Sequence, residues 1–174
     1  MRAVEKTLAT KYIIFSTILL VIIDQITKTI VQLTQCETKF LAGFGLKYVE
    51  NRGLAFGWLS QTGYGSYIGL IIHIVFIFII CFYYYRYFFN KKDISWRAIF
   101  GFTLVVTGAV AAIIDRALFG FGRDFIVIPR YAVVNFGDIF LVFGAILICI
   151  ELFRNNRFTK TSKILNSNSG DIYL

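Results

Sequence analysis

Four aspartates, Asp24, Asp115, Asp124 and Asp138, lie inside or at the edges of the apolar stretches of this chain. A carboxylate near lipid costs several kcal/mol unless it is paired, neutralised or turned toward water, so four of them point to an intramembrane site. Asn135 and Asp138, three residues apart, share one helix face, where a helix N-terminus favours a carboxylate. Two carboxylates brought close do not both ionise easily. One then holds a proton while the other acts as base toward water, the arrangement with which aspartic proteases cleave amides. Serine and cysteine mechanisms fare worse, because the single histidine, His73, falls deep in an apolar run away from the acids.

These acids need a scaffold, and composition supplies its class. The chain has 174 residues, 57% of them hydrophobic and only 16% charged, with one proline and a mean hydropathy of +0.70, which describes a membrane protein. Apolar runs long enough to cross ~30 Å of hydrocarbon predict four transmembrane helices at about 12–33, 67–89, 96–116 and 136–153. One polytopic membrane domain over 1–174 is expected. The first run is read as an uncleaved helix, since Asp24, Gln25, Thr27 and Lys28 follow its apolar core, Tyr12 to Ile23, rather than a small-residue cleavage pattern.

Basic residues orient the spans. Three precede the first span (Arg2, Lys6, Lys11), four lie at 86–97 (Arg86, Lys91, Lys92, Arg97) and four follow the fourth (Arg154, Arg157, Lys160, Lys163). The positive-inside rule then places both termini and the tail 154–174 in the cytoplasm, and all four acids toward the outer leaflet. The net charge of +8 is explained by this flanking pattern, and no basic stripe suggests nucleic acid.

Two outer segments remain, 34–66 and 117–135. Partial alternation with glycines in the first predicts a short bent sheet on the membrane surface, with Phe56, Trp58 and Leu59 dipping into the interface. Asp124 is expected on a loop in the second. The tail from Asn155 is expected to lose order in its last residues. Cys36, Cys81 and Cys149 are too scattered for a disulfide framework or a metal site and read as packing residues. The run Tyr83, Tyr84, Tyr85 and Tyr87 reads as an aromatic belt.

Structural readings stand beside the chemical ones. Asp124 alone could be a solvated loop acid, Asn135 an N-cap with Asp138 at N3, and Asp24 with Lys28 an i, i+4 ion pair. Asp115 and Arg116, adjacent in sequence, could each tie down a loop.

Five boxes in order resemble the lipoprotein signal peptidases (signal peptidase II) of bacteria. They are Asp24 with Lys28; Asn51, Gly53, Ala55 and Phe56; Gly108 and Ala109 leading to Asp115 and Arg116; Asp124 with Phe125; and Asn135 with Asp138. The resemblance implies four membrane helices with a small outer (periplasmic or extracellular) β-cradle in the bacterial inner membrane. It implies an aspartyl endopeptidase that cuts before the lipidated cysteine of diacylglyceryl prolipoproteins and needs no cofactor or metal. Asp124 and Asp138 become the catalytic pair. Asn51, Gly53, Phe56, Trp58, Arg116 and Asn135 become the lining, and Asp24, Lys28 and Asp115 the support. The partners it implies are prolipoprotein substrates and membrane lipids.

Two boxes depart from the family pattern. Ala111 and Ala112 stand where the family usually has Gly and Asn, and Val134 and Gly137 stand where its last box usually has Phe and Ala. These departures leave open a relative that binds lipoprotein precursors without cutting them. A small proton or ion transporter is the third reading, because acids in membrane spans commonly carry ions.

Overall fold

The computed structural model describes residues 3–35, 37–54, 57–90 and 95–169. Arg2, Cys36, Ala55, Phe56, Lys91, Lys92 and the last five residues of the tail lie outside them. Four helices carry the chain: α1 (Ala3–Thr34), α2 (Gly65–Asn90), α3 (Trp96–Phe119) and α4 (Phe136–Ser169). Each contains a stretch long and apolar enough to cross a membrane, at Lys6–Thr34, Gly65–Tyr87, Trp96–Phe119 and Phe136–Arg154.

α3 is the central post. It packs against the other three helices, and its inward face from Ala98 to Ala111 is buried. The outward faces of its neighbours stay apolar and exposed, as with Phe15, Ile22 and Ile26 on α1, which is what helices bathed in lipid require. Small residues set the closest approach. A Cβ on Gly108 would collide with the carbonyl of Gly137 on α4, and one on Gly144 would reach Val105 on α3 at 2.7 Å. Ser95 caps the start of α3 by accepting from the Ala98 N–H at 3.2 Å, and Gly120, left-handed at φ 78°, ends it.

Between α1 and α2, and again between α3 and α4, the chain forms one antiparallel sheet in the order β1-β2-β3-β4. Its strands are β1 (Glu37–Lys39), β2 (Gly45–Asn51), β3 (Gly122–Ile128) and β4 (Ala132–Val134). The expected sheet was confined to 34–66, but half of it comes from the second outer segment. Asp124 therefore sits on a strand, opposite Val49, and not on a loop. The first half of β3 is buried even though it carries Arg123 and Asp124, so its polar residues hide a strand that hydrophobic alternation would have shown.

α4 runs to Ser169, since 155–169 contains no Gly or Pro to end it, and the last residues of the tail, where order was expected to be lost, lie outside the described residues. The tyrosine run is divided between two faces. Tyr84 packs edge-on to Phe102 and shares a 2.7 Å hydrogen bond with Thr10, and Tyr87 donates to Glu151 at 3.1 Å, while Tyr83 and Tyr85 face outward.

Candidate active site

At one end of the bundle β3 holds Asp124 under the sheet, 4% exposed. Both of its oxygens are held by side-chain amides. Asn135, at the entrance to α4, donates to Oδ1 at 2.6 Å, and Asn51, the last residue of β2, donates to Oδ2 at 3.1 Å. These donors favour the ionised acid, but burial outweighs them and the charge of Asp138 adds to burial, so the carboxyl is raised to about 6.

Asp138 is fixed from the same asparagine. The Asn135 Oδ1 accepts the Asp138 N–H at 3.0 Å, and the Asp138 Oδ2 accepts the Asn135 N–H at 3.0 Å. This is a reciprocal capping box, with Asn135 at the N-cap and Asp138 at N3. One residue thus grips both acids, since the amide nitrogen that Asn135 leaves free of the cap goes to Asp124. The capping role expected of Asn135 is present in its geometry, and its side-chain amide also reaches Asp124.

The supporting residues form a buried cluster beneath. Lys28 lies 2.6 Å from Asp24 and 2.9 Å from Asp115, and Arg123 lies 2.8 Å from Asp115; all four are at most 2% exposed. Two acids and two bases leave no net charge, the condition under which charges tolerate burial. Asp115 therefore pairs with Lys28 and Arg123, not with its neighbour Arg116. Sequence reasoning missed Arg123 and Gln25. Gln25 accepts from Arg123 at 2.5 Å and donates to Asp115 at 3.1 Å, and only its place beside Asp24 hinted at this.

Arg116 turns the other way and donates to the Gly53 carbonyl at 3.1 Å, tying the 51–59 segment to the end of α3. Gly69 on α2 makes room for it, because a Cβ there would lie 2.6 Å from the guanidinium Nε. Gly53 is buried and its N–H reaches the Asn51 Oδ1 at 3.0 Å; a Cβ would strike the carbonyl of Trp58. A glycine is needed there so that the segment can fold back beside Asn51. Trp58 is 68% exposed and stands away from the acids. Phe56 lies outside the described residues. A cavity of about 290 Å³ opens beside Asp124, lined by Val49, Asn51, Arg52, Tyr131 and Val133. His73 bonds within its own helix, its Nδ1 2.6 Å from the Gly69 carbonyl.

A Cβ on Gly137 would lie 2.9 Å from the Asn135 Oδ1 and 3.3 Å from the Ala111 Cβ, so Gly137 and Ala111, two of the positions read as departures, face one another. Nothing in the structure explains the alanine at 112.

The comparisons agree with this arrangement. The family model described as Signal peptidase (SPase) II matches residues 16–154. A protein of Fusobacterium nucleatum named lipoprotein signal peptidase is 31% identical over 150 residues, covering 83% of this chain and 87% of its own. One from Histophilus somni (strain 129Pt), of the same name, is 34% identical over 118 residues, covering 65% of this chain and 69% of its own. A bacterial membrane enzyme solved by the in meso method at 2.3 Å superposes with a TM-score of 0.70 at 25% identity, covering 84% of this chain and 90% of that one. With the family pattern matched from the first helix to the fourth, this multi-pass membrane protein belongs to the signal peptidase II family.

Proposed function

We propose that Asp124 and Asp138 are the catalytic pair of this peptidase and that they remove signal peptides from prolipoproteins by activating water directly. The observation that carries this reading is the shared grip of Asn135 on two carboxyl groups, one of them buried and raised to about 6. Asp124 is the proton holder of the pair. Asp138, at the positive end of α4, is the base.

The water oxygen attacks the scissile carbonyl carbon as Asp138 takes one of its protons, and Asp124 passes its own proton to the carbonyl oxygen. A neutral gem-diol results. Its collapse breaks the C–N bond, with the Asp138 proton going to the leaving nitrogen and a hydroxyl proton returning to Asp124. The original protonation states are restored, and no covalent intermediate forms.

Asn51 and Asn135 fix the acid, and Arg116 with Gly53 holds the segment that borders the cleft. The substrate is a prolipoprotein bearing a diacylglyceryl cysteine and is cut just before that residue. Its acyl chains lie in the bilayer and align the bond with the pair, converting membrane binding into orientation. Exposed Trp58 suits immersion in the interface beside them. The bacterial inner membrane is the location, with both termini in the cytoplasm and the site toward the outer leaflet. The concentration of Arg and Lys at the opposite end supports that orientation.

The test is cleavage of a purified diacylglyceryl prolipoprotein by the Asp124→Asn and Asp138→Asn variants in lipid. Each substitution is expected to reduce the rate on the order of 10²–10⁴-fold while the protein stays folded. Retained cleavage by either variant would overturn the assignment.

A further inference from the structure

The buried charge cluster reaches the backbone at two places, each one residue before a proposed catalytic acid. The Asp115 Oδ2 accepts the Arg123 N–H at 3.2 Å, directly before Asp124, and the Asp24 Oδ1 accepts the Gly137 N–H at 3.1 Å, directly before Asp138. Lys28 joins these two clamps, sitting 2.6 Å from the other oxygen of Asp24 and 2.9 Å from Asp115. The Arg123 side chain reinforces one clamp through Nε and Nη2 to the Asp115 Oδ1, at 3.1 and 2.8 Å.

From this geometry we infer that Lys28 is a positioning residue that sets the spacing of the catalytic pair, acting through Asp24 on α4 and through Asp115 on β3. The inference rests on the pair proposed above. Its physical basis is that β3 and α4 come from opposite ends of an outer segment, and within 122–138 only Asn135 links the two acids directly. Asn135 restrains the carboxyl groups, whereas the cluster restrains the main chain that carries them. α1 thereby acts as a common anvil: residues 24 and 28, one turn apart on one face, present the acceptor for α4 and the cation for α3. A cluster without net charge adds little stability compared with an apolar one, but its directional bonds specify a register.

Lys28→Met leaves surplus negative charge buried and can cost folding, so D24N/K28M is the deciding variant. It keeps the net charge, keeps an acceptor for the Gly137 N–H, and removes only the link between the two clamps. Cleavage of diacylglyceryl prolipoprotein would be measured across pH for D24N/K28M and for Asp124→Asn, on protein shown to be folded by size exclusion. For D24N/K28M, kcat is expected to fall about 100-fold with KM within about twofold of the parent, the mark of misplaced reacting groups. An unchanged kcat in D24N/K28M, with Asp124→Asn inactive, would overturn the positioning role and leave the catalytic pair standing. Activity in Asp124→Asn would instead remove the pair itself.

Discussion

At the scale of single residues, the site is governed by how few partners hold the acids and how deeply they are held. Asp124 is raised because burial penalises its charge more than two amides favour it. The consequence for stability has a definite sign. A carboxyl raised in the folded state binds a proton that the unfolded chain gives up above about pH 4, so its contribution is complete below that pH. It is lost as pH rises through about 6. The stability of the parent protein in detergent, measured by denaturation, is therefore expected to decline relative to Asp124→Asn between pH 4 and 7, by on the order of 3 kcal/mol. A parallel pH dependence for the two proteins would show that Asp124 ionises normally. The residue types of the site were legible in the sequence, since Asp124, Asp138, Asn51 and Asn135 all meet. Arg123 was not, because its partners lie 8 positions away on α3 and 91 to 98 positions away on α1, and no local pattern encodes such pairing.

At the scale of elements, the four spans were readable because lipid demands long apolar runs. The strands were not equally readable. β3 begins with Gly, Arg and Asp, residues that speak against a strand unless a buried cation and a buried acid are known to be accommodated there. The α3–α4 contact brings Ala111 and Gly137, both read as departures from the family pattern, to face one another. Gly137→Ala adds a methyl group 2.9 Å from the Asn135 Oδ1 and 3.3 Å from the Ala111 Cβ and is expected to cost about 1–3 kcal/mol. Adding Ala111→Gly should recover only the part of that loss due to Ala111, in a double-mutant cycle read by thermal unfolding in detergent. Strict additivity of the two changes would show that the residues do not share the space.

At the scale of the whole molecule, four helices serve mainly to bring two outer segments together above one end of the bundle. The acids gather at that end rather than along a path through the membrane, which is the arrangement of a rim-sited hydrolase rather than of a transporter, whose sites lie near mid-membrane. The match to signal peptidase II over residues 16–154 is consistent with that division between a lipid-facing scaffold and a site at its rim. The scaffold was apparent from hydropathy alone. The closure of the site was not, because it depends on β2 meeting β3 across 70 residues of intervening chain.

The central claim is that the charge of Asp138 helps to raise the Asp124 carboxyl. Infrared titration with isotope-edited aspartate, comparing the parent with Asp138→Asn and using Asp124→Asn to assign the band, measures this directly. The Asp124 carboxyl band is expected to titrate near 6 in the parent, and at lower pH, though still above an ordinary carboxylate because burial persists, in Asp138→Asn. A titration unmoved by the loss of Asp138 would contradict the account.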